Sequence, residues 1–398
     1  MKGLLRRIFH IDHIIVAAFT ILIIELLVVI AVNLEFLSPV VRALESFSMT
    51  DVYYKILNKD GDTEECNTIT LVDMTDLTHR QDIAKVISEI KALKPAALGV
   101  DIIFEGLIED GDGDNLLADA CLEGDSVNTV WAYKLTKYDE KTRKFQNSLH
   151  SCFMVEGMEN EGFVNLVDDP SNTIKRYAVT LPYKDTVAYS LPAQIARIVK
   201  NADLGGEKNH TINYKAVSFP VVKYDELSSY RELIEGHIVL LGTTQEEREM
   251  YYTPIGQKSG MEILAYTILS MTETTPIRHS SRWMIILWAL IAGYITNLID
   301  YLLTKRIENR RSTLMVFITQ SEFYDKIISF FVMMLITGVS FHLYAKYNYF
   351  VDTVLALSTI VLIEEGRLLY AGLLSVLKKK TKWKWVEKSI YADDLDIT

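Results

Sequence analysis

Acidic side chains at the ends of apolar runs are the residues of this 398-residue chain best placed to do chemistry. Asp73 and Asp76 close the run Thr68–Met74, Asp101 and Glu105 stand at the end of Ala96–Phe104, and Thr243 and Thr244 follow Gly242 at the end of a third run. If these runs are parallel strands, their carboxyl ends border the usual ligand crevice of an open α/β sheet. Carboxylates gathered there suit a cation, an amine or a donor-rich solute. Equally, Asp73 and Asp101 could satisfy backbone donors of adjacent loops. A second acidic run, Glu109–Asn115 (EDGDGDN), alternates Asp110, Asp112 and Asp114 in the manner of a calcium loop. Counted from Asp110, however, Asn115 and Cys121 fall where an EF-hand requires glycine and a bidentate glutamate. The plainer expectation is a solvated turn whose Asp114 caps a helix beginning at Asn115.

Other catalytic patterns are absent: there is no phosphate-cradling G-x-x-x-x-G-K-[ST], no H-E-x-x-H, no G-x-S-x-G and no dinucleotide fingerprint. The eight histidines are scattered. No catalytic residue, metal site or cofactor is therefore expected, although a triad assembled in space is beyond the reach of a linear pattern. Cys66, Cys121 and Cys152 lack zinc-ligand spacing. One disulfide or three plain thiols would both fit an odd count. Between Asn33 and Arg282 lie about 39 acidic against about 25 basic side chains, a surface that repels nucleic acid.

The elements that would carry these groups follow from periodicity. Thr68–Met74 reads as a β-branched strand, Arg80–Leu93 as an amphipathic helix and Ala96–Phe104 as a second strand. Apolar runs rather than alternation indicate parallel strands covered on both faces. A helix over 115–122 and a strand over 126–135 complete a further crossover. Residues 136–219 read as short strands with a helix at Leu191–Lys200, an antiparallel extension of the sheet. Gly236–Thr244 is a buried strand, and Glu262–Met271 is a helix. A further helix is expected over Phe36–Leu57.

Four stretches are apolar at the length needed to cross lipid: about Ile14–Val32, Trp283–Leu303, Lys326–Ala345 and Phe350–Leu374. The first is long for a signal peptide and lacks an evident small-residue cleavage site, so an uncleaved anchor is expected. Glu25 lies within it, an intramembrane acid that calls for a function or a polar lock to a neighbouring helix. Lys2, Arg6 and Arg7 precede the first span, Lys305, Arg306, Arg310 and Arg311 follow the second, and five lysines between 378 and 384 follow the fourth. With four spans all these clusters share one side, which makes both termini cytoplasmic. The organisation expected is an N-terminal anchor (1–32), an exported domain (33–282), three further helices (283–374) and a short cytoplasmic tail (375–398). In fold class this is an α/β exported domain, largely a parallel sheet with crossover helices and an antiparallel extension, plus a helical membrane region.

Several segments together resemble the second type of CHASE domain, the extracellular sensory domain that precedes bacterial histidine kinases, cyclases and serine/threonine kinases. They are ITLVDMTD (69–76), ALGVDIIFEG (97–106), GFVNLVDDPSNTIKRYAV (162–179), GHIVLLGTTQEEREMYYTPIG (236–256) and GMEILAYTILSM (260–271). The resemblance covers nearly all of the exported segment, and three following spans match the family's layout. It implies that Asp73, Asp101, Arg176, Gly242, Thr253, Pro254 and Gly260 occupy typical positions. Two departures stand out. Ser171-Asn172-Thr173 precedes Lys175 and Arg176 where Asp-Gly is common, and Leu264 stands where the family often has histidine. Gly242 and Gly260 are expected to supply unusual backbone conformations, Pro254 to rigidify a turn, and Arg176 to pair with a strand-end carboxylate.

The candidate ligand-binding residues are thus Asp73, Asp76, Asp101, Glu105, Arg176, Thr243 and Thr253. Family members usually continue into a cytoplasmic output domain, whereas about 21 residues follow Leu377 here. The leading expectation is a non-enzymatic sensor or accessory subunit of the bacterial inner membrane. It would detect an unknown extracytoplasmic ligand and signal to a separate cytoplasmic or membrane protein, as a homodimer by family analogy. The alternative is a structural or assembly subunit of an envelope complex, with the exported domain as a protein-binding module.

Overall fold

The computed structural model describes residues 10–33, 54, 64–108, 112–122, 127–153, 160–166, 173–200, 210–214, 217–244, 250–272, 277–308, 322–381 and 383–391. The expected helix over 36–57 lies outside these residues except for Tyr54, as does the 109–111 part of the acidic loop. The chain divides into two units, one of residues 1–44 with 278–398 and the other of residues 45–277.

In the first unit α1 (Ile11–Asn33) is the N-terminal helix. The second unit is built on one sheet. Its strands include β1 (Ile69–Asp73), β2 (Ala97–Val100), β3 (Thr129–Asp139), β4 (Lys144–Leu149) and β5 (Glu161–Phe163). Arg176–Tyr177 forms β6, Thr180–Tyr183 β7, Thr186–Tyr189 β8 and His210–Thr211 β9. Val221–Lys223 is β10 and Ile238–Gly242 is β11. The order across the main sheet is β10-β1-β11-β2-β3-β4-β7-β8, with β5 also beside β3. From β10 to β3 every pair is parallel. All residues of β1, β2 and β11 are buried, as strands covered on both faces must be.

The helix α2 (Arg80–Ala92) joins β1 to β2. Its Ile83, Ala84, Val86, Ile87 and Ile90 fall on one face at helical spacing and pack into a core with Val72, Leu98, Val100, Val239 and Leu241. Each such isoleucine contributes roughly 1.5–3 kcal/mol on burial. Against the same core lies α3 (Gly113–Leu122) through Leu117 and Ala120. It begins two residues before the expected start. Asp114, in its first turn, does not cap it: the carboxylate pairs with buried Arg80 and accepts the Ile108 N–H (2.8 Å).

The extension is a continuation of the same sheet. The eleven residues of β3 run parallel to β2 and β5 over their first half and antiparallel to β4 over their second. A tight antiparallel hairpin, β7–β8, follows. Next comes α4 (Leu191–Lys200), with Ser190 Oγ accepting the Ala193 N–H (3.3 Å) at its start and Pro192 in its first turn. It lies directly on β5: a side chain at Gly162 would collide with the Leu191 backbone, and a Cβ at Gly99 would come within 2.7 Å of Ile195. The hairpin β12 (Met250–Thr253) and β13 (Gly256–Ser259) leads into α5 (Gly260–Thr272).

The first unit adds α6 (Arg282–Glu308), α7 (Glu322–Tyr347) and α8 (Val354–Lys380) to α1. Among the described residues, three helices are long and apolar enough to cross a membrane, over Ile11–Val29, Arg282–Leu303 and Lys326–Tyr347. The four-span expectation is thus met for three. The fourth candidate, α8, carries Glu364, Glu365 and Arg367 within its apolar stretch. Arg367 pairs with Asp300 of α6, and Glu364 lines the same small cleft as Lys326. Packing is close and uses small residues, as between membrane helices. A Cβ on Gly293 would meet Thr359 at 2.9 Å and Ala17 at 3.0 Å, and Gly366 lies against Thr20. Glu25 falls about two-thirds of the way along α1 and is 3.7 Å from Arg282 at the start of α6.

Residues 389–391 fold back on this unit. Asp12, in the first turn of α1, is 3 % exposed and accepts hydrogen bonds from Ser389 Oγ and the Ile390 N–H, both at 2.7 Å. The Tyr391 hydroxyl meets His13 Nδ1 and Asn297 Oδ1, each at 3.2 Å.

Candidate functional site

The register of the parallel strands brings the expected acids together. Gly242 lies opposite Asp73, and Leu241 opposite Val100, so the ends of β1, β11 and β2 are side by side. Asp73 is buried, and one of its oxygens, Oδ1, accepts from the Thr75 N–H (3.2 Å), the Thr75 hydroxyl (2.6 Å) and the Thr244 N–H (3.1 Å). Burial pushes this carboxyl up, but the hydrogen bonds from Thr75 and Thr244 outweigh it and hold the pKa below the ordinary carboxylate value. Asp101 is half-buried beside Gly242, and Asp76 and Glu105 are exposed. Asp73 therefore works as a clasp that ties the loop after β1 to the loop after β11. Among the described residues no group of three or more His, Cys, Asp or Glu side chains is arranged for a metal ion.

A consequence follows for pH dependence. With its folded pKa depressed, Asp73 adds stability above the unfolded value of about 4, and this is lost as pH falls through the folded value. Asp73→Ala should cost about 1–3 kcal/mol at neutral pH through the stranded N–H groups of Thr75 and Thr244. Urea unfolding across pH 2–7 should show the wild-type and variant curves converging at the acid end.

Pro254 lies in the turn expected of it, whereas the two glycines act differently from expectation. Gly242 is a strand residue without positive φ; its need is space, because a Cβ there would sit 3.1 Å from Met261 Sδ and 3.3 Å from Asp101 Cβ. Gly260 opens α5 and also lacks positive φ. The residue that needs glycine's freedom is Gly256, at φ +113°, in the turn that Pro254 shares. Thr253 is buried and its hydroxyl donates to the Gly256 carbonyl (2.6 Å), closing that turn. All three cysteines are free thiols. Cys66 is buried, while half-buried Cys121 has its thiol pushed up to about 12, chiefly by burial.

Arg176 is elsewhere. It makes no ion pair among the described residues and sits on β6, held in register by β9, at a small, half-open cleft. The walls come from five places in the chain: Phe163–Leu166 at the end of β5, Tyr177 and Ala178 beside Arg176, Ser190 and Pro192 at the start of α4, Ile212, and Leu264 and Thr267 of α5. Most of its polar wall groups are committed internally. Asn165 exchanges both amide bonds with the Leu135 backbone (2.7 and 2.9 Å), Ser190 caps α4, and Thr267 Oγ1 donates to the Ile263 carbonyl. The exposed guanidinium of Arg176 is thus the cleft's outward-facing charge, against walls otherwise largely apolar. A guanidinium at the rim of such a cleft suits a carboxylate or comparable small anion.

A family model, the CHASE2 domain, matches residues 23–298. The chain belongs to the CHASE2 family. No curated protein and no solved structure matched it. CHASE2 is a family of extracellular sensory domains, and the matched stretch takes in the whole described α/β unit. Of the family-typical positions, Asp73, Asp101 and Gly242 meet at the strand ends, Thr253 and Pro254 build the hairpin turn, and Arg176 faces the cleft of this CHASE2 domain. Sequence reasoning missed the other cleft residues, among them Asn165, Ser190, Pro192 and Thr267, since no spacing links segments so far apart. It also missed Ser148 and His150, whose separation of two residues puts both on one face of an extended strand.

Proposed function

We propose that this CHASE2 protein is an integral membrane sensor. It binds a small extracytoplasmic anion at the Arg176 cleft and relays occupancy to a separate signalling protein. The observation that carries the reading is the exposed guanidinium of Arg176 beside a half-open cleft whose other polar groups are mostly satisfied internally, in a sensory-domain family. In this reading α8 is a fourth span. Its 27 residues reach about 40 Å, its Arg367 is neutralised by Asp300, and its inner face packs on α1 and α6. Four spans put every basic cluster on the cytoplasmic side of a bacterial inner membrane and the α/β unit outside. The relay is supported by the contact between α1 and residues 389–391, which couples the helix preceding the sensory unit to a segment on the side where a partner would read it. A ligand works such a device only by favouring one of two arrangements.

The test is a thermal-shift screen of the full chain in detergent against small carboxylates and phosphates. A selective ligand should raise the midpoint, by about 2.7 kcal/mol of stabilisation at a hundredfold excess over Kd. Arg176→Ala should abolish the shift with the unliganded midpoint unchanged. Absence of any shift would instead favour a protein-binding module in an envelope assembly. A reporter enzyme inserted at Asp112 should be active only outside the cytoplasm, and cytoplasmic activity would sink the topology.

A further inference from the structure

The antiparallel extension contains a chain of hydrogen bonds that the ligand cleft does not use. Ser148, in β4, and His150, just after it, point to the same side, and the ring of Tyr133 on β3 stacks on the imidazole with centroids 4.7 Å apart and planes at 13°. His150 Nδ1 lies 2.9 and 3.0 Å from the two carboxylate oxygens of Glu161, which is buried on β5. An ionised carboxylate only accepts, so the proton of a neutral His150 belongs on Nδ1, and Nε2 is left as an acceptor. Ser148 Oγ stands 2.8 Å from that Nε2. The hydroxyl of Tyr183, from β7, stands 2.8 Å from Ser148 Oγ; with the single Ser148 proton directed at His150 Nε2, Tyr183 is left as the donor of that pair. Donation thus runs in one direction, Tyr183 to Ser148 to His150 to Glu161. Ser148 and Tyr183 are both partly exposed, so the nucleophile end of the chain reaches solvent while the carboxylate end is buried.

This arrangement supplies the base and the orienting carboxylate of an activated serine, with a phenol hydroxyl on the serine oxygen that can turn toward a carbonyl oxygen bound there. We propose that Ser148 is a nucleophile that accepts the acyl group of a carboxylic ester, with His150 as its base and Glu161 as the positioning residue. The Ser148 oxygen forms a bond to the carbonyl carbon as its proton passes to His150 Nε2. The carbonyl electron pair moves onto oxygen, where the Tyr183 hydroxyl donates to the anion. Collapse restores the carbonyl and breaks the bond to the leaving alkoxide, which takes the proton from His150 and departs as an alcohol. The product is an acyl-serine, and no oxidant or metal enters the balance.

The site stands apart from the Arg176 cleft, and its test is independent of the ligand reading. Full-length protein in detergent is incubated with p-nitrophenyl acetate and, separately, with an alkyl fluorophosphonate, and the adduct is mapped by mass spectrometry. One acetyl or phosphonyl group per chain on Ser148 is expected, absent in Ser148→Ala. His150→Ala should slow acylation by about 10²–10⁴-fold, and Tyr183→Phe by on the order of 10². Glu161→Gln should slow it too, with the melting point of each variant measured alongside. A wild-type protein that carries no adduct on Ser148 overturns the proposal, whatever the variants do. So does an adduct that forms equally fast in a His150→Ala or Tyr183→Phe protein of unchanged melting point.

Discussion

Asp12→Ala should release residues 389–391 from the first unit. The carboxylate accepts two hydrogen bonds at 2.7 Å, from Ser389 Oγ and the Ile390 N–H, and is approached by the Tyr370 hydroxyl at 3.4 Å. It sits in the first turn of α1, where the helix dipole also favours a negative charge. Bonds to a charged acceptor contribute about 1.5–3 kcal/mol each, so the two short ones together hold the segment by about 3–6 kcal/mol. Once Asp12 is gone, the Ile390 amide is either buried without an acceptor or carried out to solvent with its neighbours, and the latter is cheaper. Tyr391 then loses its place between His13 and Asn297. Hydrogen exchange on the detergent-solubilised chain should show protection of the Ile390 amide falling by at least about a hundredfold, as loss of roughly 3 kcal/mol implies. Asp12→Asn, which keeps one acceptor oxygen, should lose less. Unchanged exchange in the alanine variant would mean that the segment is held by its apolar contacts, Val386 and Tyr391 against Tyr370 and Leu374, rather than by the carboxylate.

The largest effect expected within the α/β unit comes from a single methyl group at Gly162. This residue lies in the middle of β5, paired with Ala132 of β3, and the start of α4 lies directly on it. A Cβ there meets main-chain atoms of Leu191 and Ser190, so no side-chain rotation relieves the clash. Either α4 lifts from the sheet or β5 leaves its register. Leu191, Ala193, Ile195 and Ala196, all fully buried, would be disturbed in the first case, and the Glu161 carboxylate that orients His150 in the second. Overpacking typically costs 1–3 kcal/mol, and a rigid backbone obstacle puts Gly162→Ala at about 3 kcal/mol or beyond. For a unit of this size that lowers Tm by roughly 6–12 °C. Gly106→Ala is the contrasting control: nothing lies near the added atom, and the cost comes only from its φ of +70°. Equal melting points for the two variants would contradict the close approach of α4 to β5.

Much of this architecture was legible in local patterns. Runs such as Ile69–Asp73 and Ile238–Gly242 are apolar without alternation, and that alone requires a strand covered on both faces. Leu191–Lys200 was bounded correctly because a serine, a proline and an apolar stripe coincide at its start. Patterns failed where partners are distant in sequence. The three charges of α8 make it a poor span by composition, and only the pairing of Arg367 with Asp300, 67 residues away, shows how one of them is tolerated. Arg176 was expected to meet a strand-end carboxylate. It faces a cleft instead, because β6 pairs with β9 and not with the parallel strands.

By itself the sequence determined that the chain has apolar helices of membrane-spanning length, an acidic α/β unit with a largely parallel sheet, and strand-end acids in a CHASE2-like order. Each of these depends on hydrophobic period or on residue type, which a linear chain displays directly. Only the tertiary structure decided which of those acids are occupied. Asp73 is spent on Thr75 and Thr244, and Asp114 on Arg80. The structure also placed Glu161 against His150 and Asp12 against Ser389 and Ile390. A side chain's chemistry depends on the donors within about 3 Å of it, and folding supplies those from residues that sequence spacing does not connect.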